Sequence, residues 1–187
     1  MKRIEVVVEG GSGSRPSTAS GSRVALVGNL PPPVHGAAVV NDHLFRVMNV
    51  AGCHPQVYNT ASRSLSRTWA SRIARIVSIM PVLFSFAVAA IRGRIERQYV
   101  GLSGGSGQII DASVVALGRV AGATTYLHHH SYAYITRPTT VSRLLMFAGG
   151  PKAVHIVPCP DMRHRLRRSC RGIGSLGTRT EASDAST

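Results

Sequence analysis

The chain is poor in acids: eight Asp and Glu stand against 22 Lys and Arg, a formal charge of +14 over 187 residues. Lysine is scarce too, only Lys2 and Lys152, so the charge is arginine's. This balance favours anionic partners: nucleic acid, phosphorylated ligands or an acidic membrane face. Aromatics make up 5%, leaving few stacking platforms for single-stranded nucleic acid. Helix-turn-helix, RNP and zinc patterns are missing as well, so no nucleic-acid partner is expected. The three cysteines, Cys53, Cys159 and Cys170, are widely spaced and form no CxxC. They fit neither a disulfide framework nor a structural zinc site and point to a reducing, cytoplasmic setting. The loop after the first apolar run, residues 28–36, matches neither GxxxxGK[ST] nor GxGxxG, the usual nucleotide fingerprints.

Long apolar runs are also lacking. The longest, Ile76–Ile91, is interrupted by Ser78, Pro81 and Ser85. As a helix it would reach about 24 Å, short of the roughly 30 Å hydrocarbon core. Met1-Lys2-Arg3-Ile4-Glu5 opens the chain without the apolar stretch of a signal peptide.

What remains is 44% hydrophobic and long enough for one domain, able to bury roughly 70% of the surface its unfolded form exposes. Residues 1–23, rich in Gly, Ser and Thr, read as a flexible leader. Short β-rich runs then alternate with helical patterns. Strands are expected at Val24–Gly28, Gln56–Asn59, Gln98–Ser103, Ala123–His130 and Ala153–Val157. Helical spacing joins Val40, Leu44, Val47 and Ala51, then Ile110, Val114, Leu117 and Ala121, each followed by a closing glycine, Gly52 or Gly122. A third set, Val141, Leu144, Leu145 and Ala148, is opened by Thr136 and Pro138. This alternation predicts an α/β fold, a Rossmann-like doubly wound parallel sheet over residues 24–162. From Arg163 the periodicity stops, and residues 163–187 read as a disordered basic tail.

Between the second and third strands lies a basic amphipathic helix with Pro81 expected to break or kink it. Arg63, Arg67, Arg72 and Arg75 share one half of its wheel; Trp69, Ile73, Ile76, Val77 and Met80 share the other. Arg92, Arg94 and Arg97 follow. Two readings stand: peripheral docking on anionic lipid, with Arg67, Arg72 and Arg75 facing the membrane, or a surface helix covering the core.

Ligands of open α/β sheets bind beyond the carboxyl ends of the strands, and three unusual segments fall there. GNLPPPVHG, residues 28–36, follows the first strand and ends in Gly36-Ala37-Ala38, where a helix begins. Small residues at that point, with His35 before them, let a phosphate approach free backbone N–H groups; the plain alternative is a stiff connector. SGGSG, residues 103–107, is either an anion cradle or a turn. HHHS, residues 128–131, ends the fourth strand. Alternate side chains of a strand point to opposite faces, so His128, His129 and His130 do not converge on a metal, and none is expected. One or two facing the crevice could hydrogen-bond a sugar hydroxyl or a phosphate, while another is buried structurally.

Together, VALVGNLPPPVHGAAVVNDHLFRVM, QYVGLSGGSGQIIDASVVALGRVAGATTYLHHHSYAYI and AVHIV followed by Met162 resemble the N-terminal half of a GT-B glycosyltransferase of the family 4 type. The resemblance implies one of two facing Rossmann-like domains, which holds mainly the acceptor while the other holds the nucleotide-sugar. It implies retaining hexosyl transfer from that donor to a glycan or lipid-linked acceptor, without a metal or other cofactor. His35, Gly36 and Ala37 would then lie by the donor diphosphate, and His129 or His130 beside the transferred sugar. Asn29, Ser103, Gly104, Gly105, His128 and Ser131 would line the acceptor side of the crevice. A lipid-linked acceptor would place the chain peripherally on the inner membrane face. The donor-binding Lys/Arg and paired glutamates of such enzymes do not occur here. The switch to Arg-rich sequence after Met162 reads as a truncation or a frame change. Little activity is therefore expected from the chain alone, with a separate C-terminal donor domain as partner. The other reading is a non-catalytic module for an anionic ligand, a membrane surface or such a domain.

Overall fold

A computed structural model describes residues 23–61, 69–171 and 179–182. The chain forms β1 (Val24–Gly28), α1 (Gly36–Val50), β2 (Gln56–Asn59), α2 (Trp69–Ile91), β3 (Arg97–Gly101) and α3 (Gln108–Val120). It continues through β4 (Thr124–His128), a short α4 (Ala133–Thr136), α5 (Thr140–Gly149), β5 (Val154–Val157), α6 (Pro160–Arg171) and β6 (Arg179–Ala182). All strand pairs are parallel, in the order β2-β1-β3-β4-β5-β6. This is a Rossmann-like α/β sheet. The order reverses between β1 and β3, where the connections leave in opposite directions and open a crevice at the carboxyl ends.

Alternation along the strands divides the sheet's two faces. Ala25, Val27, Val100, Leu102 and Leu127 share one core with Phe86 of α2, Val114 and Val115 of α3 and Leu145 of α5. The other face carries α1, whose fully buried Asn41 lies over Gly28, Gly101 and Tyr99. Right-handed crossovers require this arrangement: β1 to β2 runs one way along the sheet and the remaining connections run the other, so α1 stands opposite α2, α3 and α5.

Several sequence-based bounds change. The expected leader lies outside the described residues except Arg23, whose guanidinium pairs with Glu96 at 2.8 Å. Pro81 neither ends nor divides α2. Pro81 and Val77 are on the solvent side, so water can take the Val77 carbonyl that the proline leaves without a donor. β4 stops at His128, two residues early. α5 begins after Thr139, whose side chain forms a reciprocal capping box with Ser142, rather than at Thr136 and Pro138.

The expected disordered tail is corrected over residues 163–171, which continue α6, and over 179–182, which form β6 against β5. Met162 and Leu166, four residues apart, supply a narrow buried seam against Tyr134, Ile135, Met146 and Val157. Asp161 pairs with Arg165 at 2.8 Å along the exposed side. Two apolar residues amid arginines leave almost no periodic signal, yet suffice once a sheet lies beneath them. Residues 172–178 and 183–187 lie outside the described residues.

Candidate functional site

The crevice is framed first by the β1–α1 loop. Asn29 is held from three sides: its carbonyl accepts from Asn41 Nδ2 at 3.0 Å, its side-chain oxygen accepts from Thr60 Oγ1 at 3.2 Å, and the next residue, Leu30, donates its N–H to Asn59 Oδ1 at 3.1 Å. Asn29 thus anchors the loop to α1 and to the end of β2. The loop closes at His35, the N-cap of α1, whose Nδ1 accepts from Ala38 N at 3.3 Å. One helix-start amide is therefore occupied by His35 itself. Gly36 is exposed, and a side chain built there would meet nothing within 4 Å. Ala37 is half-buried beside it.

The β3–α3 loop takes the turn alternative and is tied down from within. Ser103 is buried and turned inward: its N–H donates to Asp111 Oδ2 at 2.6 Å and its hydroxyl reaches Oδ1 at 3.4 Å. A buried carboxylate thus secures the loop, a larger role than the helix-dipole contact its position suggests. Gly104 and Gly105 are exposed, and Gly105 has φ +61°, a turn that favours glycine.

The three histidines split between the two faces. His129 is fully buried toward α4 and β5: Nδ1 contacts Tyr134 Oη at 3.0 Å and Nε2 contacts His155 Nδ1 at 2.9 Å. It is corrected from a crevice residue to a structural one, since no ligand reaches a side chain so sealed. Burial first, then the neighbouring His155, hold its pKa well below the ordinary value. His155 is lowered by burial to about 4.

His128 and His130 lie on the α1 side, with ring centroids 4.2 Å apart. His128 Nδ1 is hydrogen-bonded to Tyr99 Oη, which also donates to Asn41 Oδ1 at 3.5 Å. Burial and then His130 lower the His128 pKa to about 4. Burial and then His35 of the first loop lower that of His130 to about 4. The buried Nε2 of His130 has no hydrogen-bond partner among the described residues. Neutral at pH 7, both rings can exchange hydrogen bonds with hydroxyls without carrying charge.

Ser131 Oγ instead accepts from Ala133 N at 3.3 Å and starts α4. Beside it, Tyr132 Oη bonds Cys159 Sγ. That bond foremost, then backbone N–H groups of Met162 and Asp161, hold the Cys159 thiol below its usual range. Among the described residues no group of three or more His, Cys, Asp or Glu is placed to hold a metal.

The structure therefore joins His35, His128 and His130 with Asn29 and Gly36 along the β1, β3 and β4 ends, and leaves out His129 and Ser131. Sequence reasoning missed Asn41, Tyr99, Asp111, Tyr134 and His155. Asn41 did leave a trace, a polar residue three positions after Ala38 on the buried side of α1.

Of the arginines expected to face a membrane, Arg67 lies outside the described residues, as does Arg63; Arg72 and Arg75 fall on α2. No described helix is long and apolar enough to cross a membrane. Farther along α2, Val77, Met80, Phe84 and Ile91 share one face and are 64%, 54%, 72% and 82% exposed, opposite the buried Ile79, Phe86 and Ala90. Val77 and Met80 thus point away from the core. Exposed Arg92 and Arg94 follow.

Comparison with family models, with curated proteins and with solved structures returns no match. Fold and site define the class of this chain as a Rossmann-like α/β domain with a histidine-lined crevice at its topological switch point.

Proposed function

We propose that the chain is the acceptor-side half of a GT-B glycosyltransferase, a domain that positions a sugar hydroxyl for retaining hexosyl transfer from a nucleotide-sugar. The observation that carries this reading is the meeting of His35, His128 and His130 beside an open glycine loop where the sheet order reverses. Such a crevice offers neutral ring nitrogens to hydroxyls and a helix start to a phosphate. A separate donor domain with its own cationic and acidic groups would supply the remaining contacts. No metal or other cofactor enters the proposal. The localisation that suits it is cytoplasmic, against the inner membrane face when the acceptor is lipid-linked.

Titration with methyl glucoside and methyl mannoside, followed by the ring signals of His128 and His130, tests it. One of the two glycosides shifts those signals, and His130→Ala weakens that binding about tenfold, roughly 1.4 kcal/mol. No response to either glycoside, or binding indifferent to His130→Ala, overturns the reading.

The α2 stripe favours a second reading, a module that docks on anionic lipid: four large apolar side chains face outward and arginines follow them. Sedimentation with phosphatidylglycerol vesicles checks it. Phe84→Asp and Ile91→Asp together abolish binding, and retention of the double variant on the vesicles excludes α2 as the docking element.

A further inference from the structure

One hydrogen-bond chain in the crevice dictates which nitrogen of His128 is available. Asn41 is fully buried, and its amide orientation is fixed because Nδ2 donates to the Asn29 carbonyl at 3.0 Å. Its Oδ1 therefore faces Tyr99 and has the phenol as its donor at 3.5 Å. A buried amide oxygen left without that proton would cost about 1–3 kcal/mol. If the phenol proton goes to Asn41, Tyr99 Oη accepts from His128, and His128 Nδ1 carries the hydrogen. The lone pair then resides on Nε2, which has no protein partner among the described residues. Free histidine favours the opposite tautomer, with the hydrogen on Nε2, so the chain from α1 through β3 reverses an intrinsic preference.

We infer that Asn41 and Tyr99 are positioning residues that lock His128 as the Nδ1–H tautomer, presenting the Nε2 lone pair to the crevice as an acceptor for a hydroxyl of a polyol ligand. What the acceptor engages rests on the proposed sugar-binding reading; the tautomer does not. The Gly28 and Gly101 contacts place this chain at the reversal of the sheet, since a side chain at either would come within 2.7 Å of the Asn41 amide. Any side chain there would displace Asn41 and release the phenol.

The test is a long-range 1H–15N correlation spectrum of the 15N-labelled chain at pH 7, with His128 assigned by the loss of its signals in His128→Asn. In the wild type, Nδ1 appears as a protonated ring nitrogen and Nε2 as a lone-pair nitrogen. In Tyr99→Phe, which removes only the phenol oxygen, the populations invert and the Nε2–H form becomes dominant. A merely structural role for Tyr99 would lower stability without moving this tautomer. A wild-type His128 protonated on Nε2, or a tautomer unchanged in Tyr99→Phe, overturns the inference. The wild-type spectrum decides even if the variant does not fold. Adding methyl glucoside to 50-fold molar excess should then shift the His128 Nε2 signal in the wild type and not in Tyr99→Phe. A correct tautomer with no response to the glucoside upholds the relay and counts against the sugar-binding reading instead.

Discussion

The chain loses stability steeply as the pH falls from 6.5 towards 4, because four histidines, His129 and His155 buried and His128 and His130 half-buried, take up protons less readily in the folded chain than in the unfolded one. His128, His130 and His155 are each lowered from 6.5 to about 4, chiefly by burial, and His129 lies well below 6.5. In that window the unfolded chain binds protons that the folded chain refuses. Stability is therefore untouched above pH 6.5 and declines as the solution acidifies. At about 1.4 kcal/mol per unit, His155 alone removes about 3 kcal/mol by pH 4. That is a large share of the 5–15 kcal/mol typical of a domain. Urea midpoints at pH 7.5, 6, 5 and 4 measure it. His155→Gln keeps a hydrogen-bonding side chain facing His129 and reduces the pH slope by about one proton. A midpoint constant down to pH 4.5 would mean that the histidines are solvated and the His129–His155 contact is not formed.

Gly118→Ala destabilises the chain by about 2–4 kcal/mol, through overpacking and a disrupted buried hydrogen bond. Gly118 faces Gln98 where α3 presses on β3, and an added Cβ would lie 2.1 Å from Gln98 Oε1 and 2.4 Å from Nε2. Gln98 cannot retreat: it is fully buried and donates to Thr125 Oγ1 at 2.7 Å and to the Val115 carbonyl at 3.3 Å. Its Oε1 has no hydrogen-bond partner among the described residues, so the amide is a mixed asset. Gln98→Val combined with Gly118→Ala recovers at least half of the loss, a non-additive result of shared space. Thermal unfolding of the three variants measures it. Additive losses would show that the glycine is required for its backbone and not for the approach of Gln98.

The fold was legible where one kind of pattern dominated. VALVG and QVYN coincide with β1 and β2, and the glycine-closed helices with α1 and α3, because apolar spacing and turn chemistry agree there. Elements that depend on distant packing were not legible. α6 is held by Met162 and Leu166 against a sheet its local sequence does not announce. Pro81 stays within α2 because its side faces water, a matter of exposure rather than of propensity. In the site, the sequence located the three loops. It could not say which histidine looks outward, because that depends on where β4 ends and on the Tyr99 and His155 that wait on either side. Asn41 and Tyr99 lie 58 residues apart, and only sheet order makes them neighbours.

The triplet at the end of β4 has a degenerate alphabet. Slide the strand by one residue in either direction, and the inward slot held by His129 still receives a histidine, either His128 or His130. The outward slots still retain one histidine, beside Leu127 or Ser131. Registry at this point is therefore only weakly written in the histidines. Leu127, fully buried in the core, and Tyr134, bonded to the inner ring, are the residues that break the tie. Leu127→Thr would strip one of those two markers and narrow the preference for the native alignment over a shifted one.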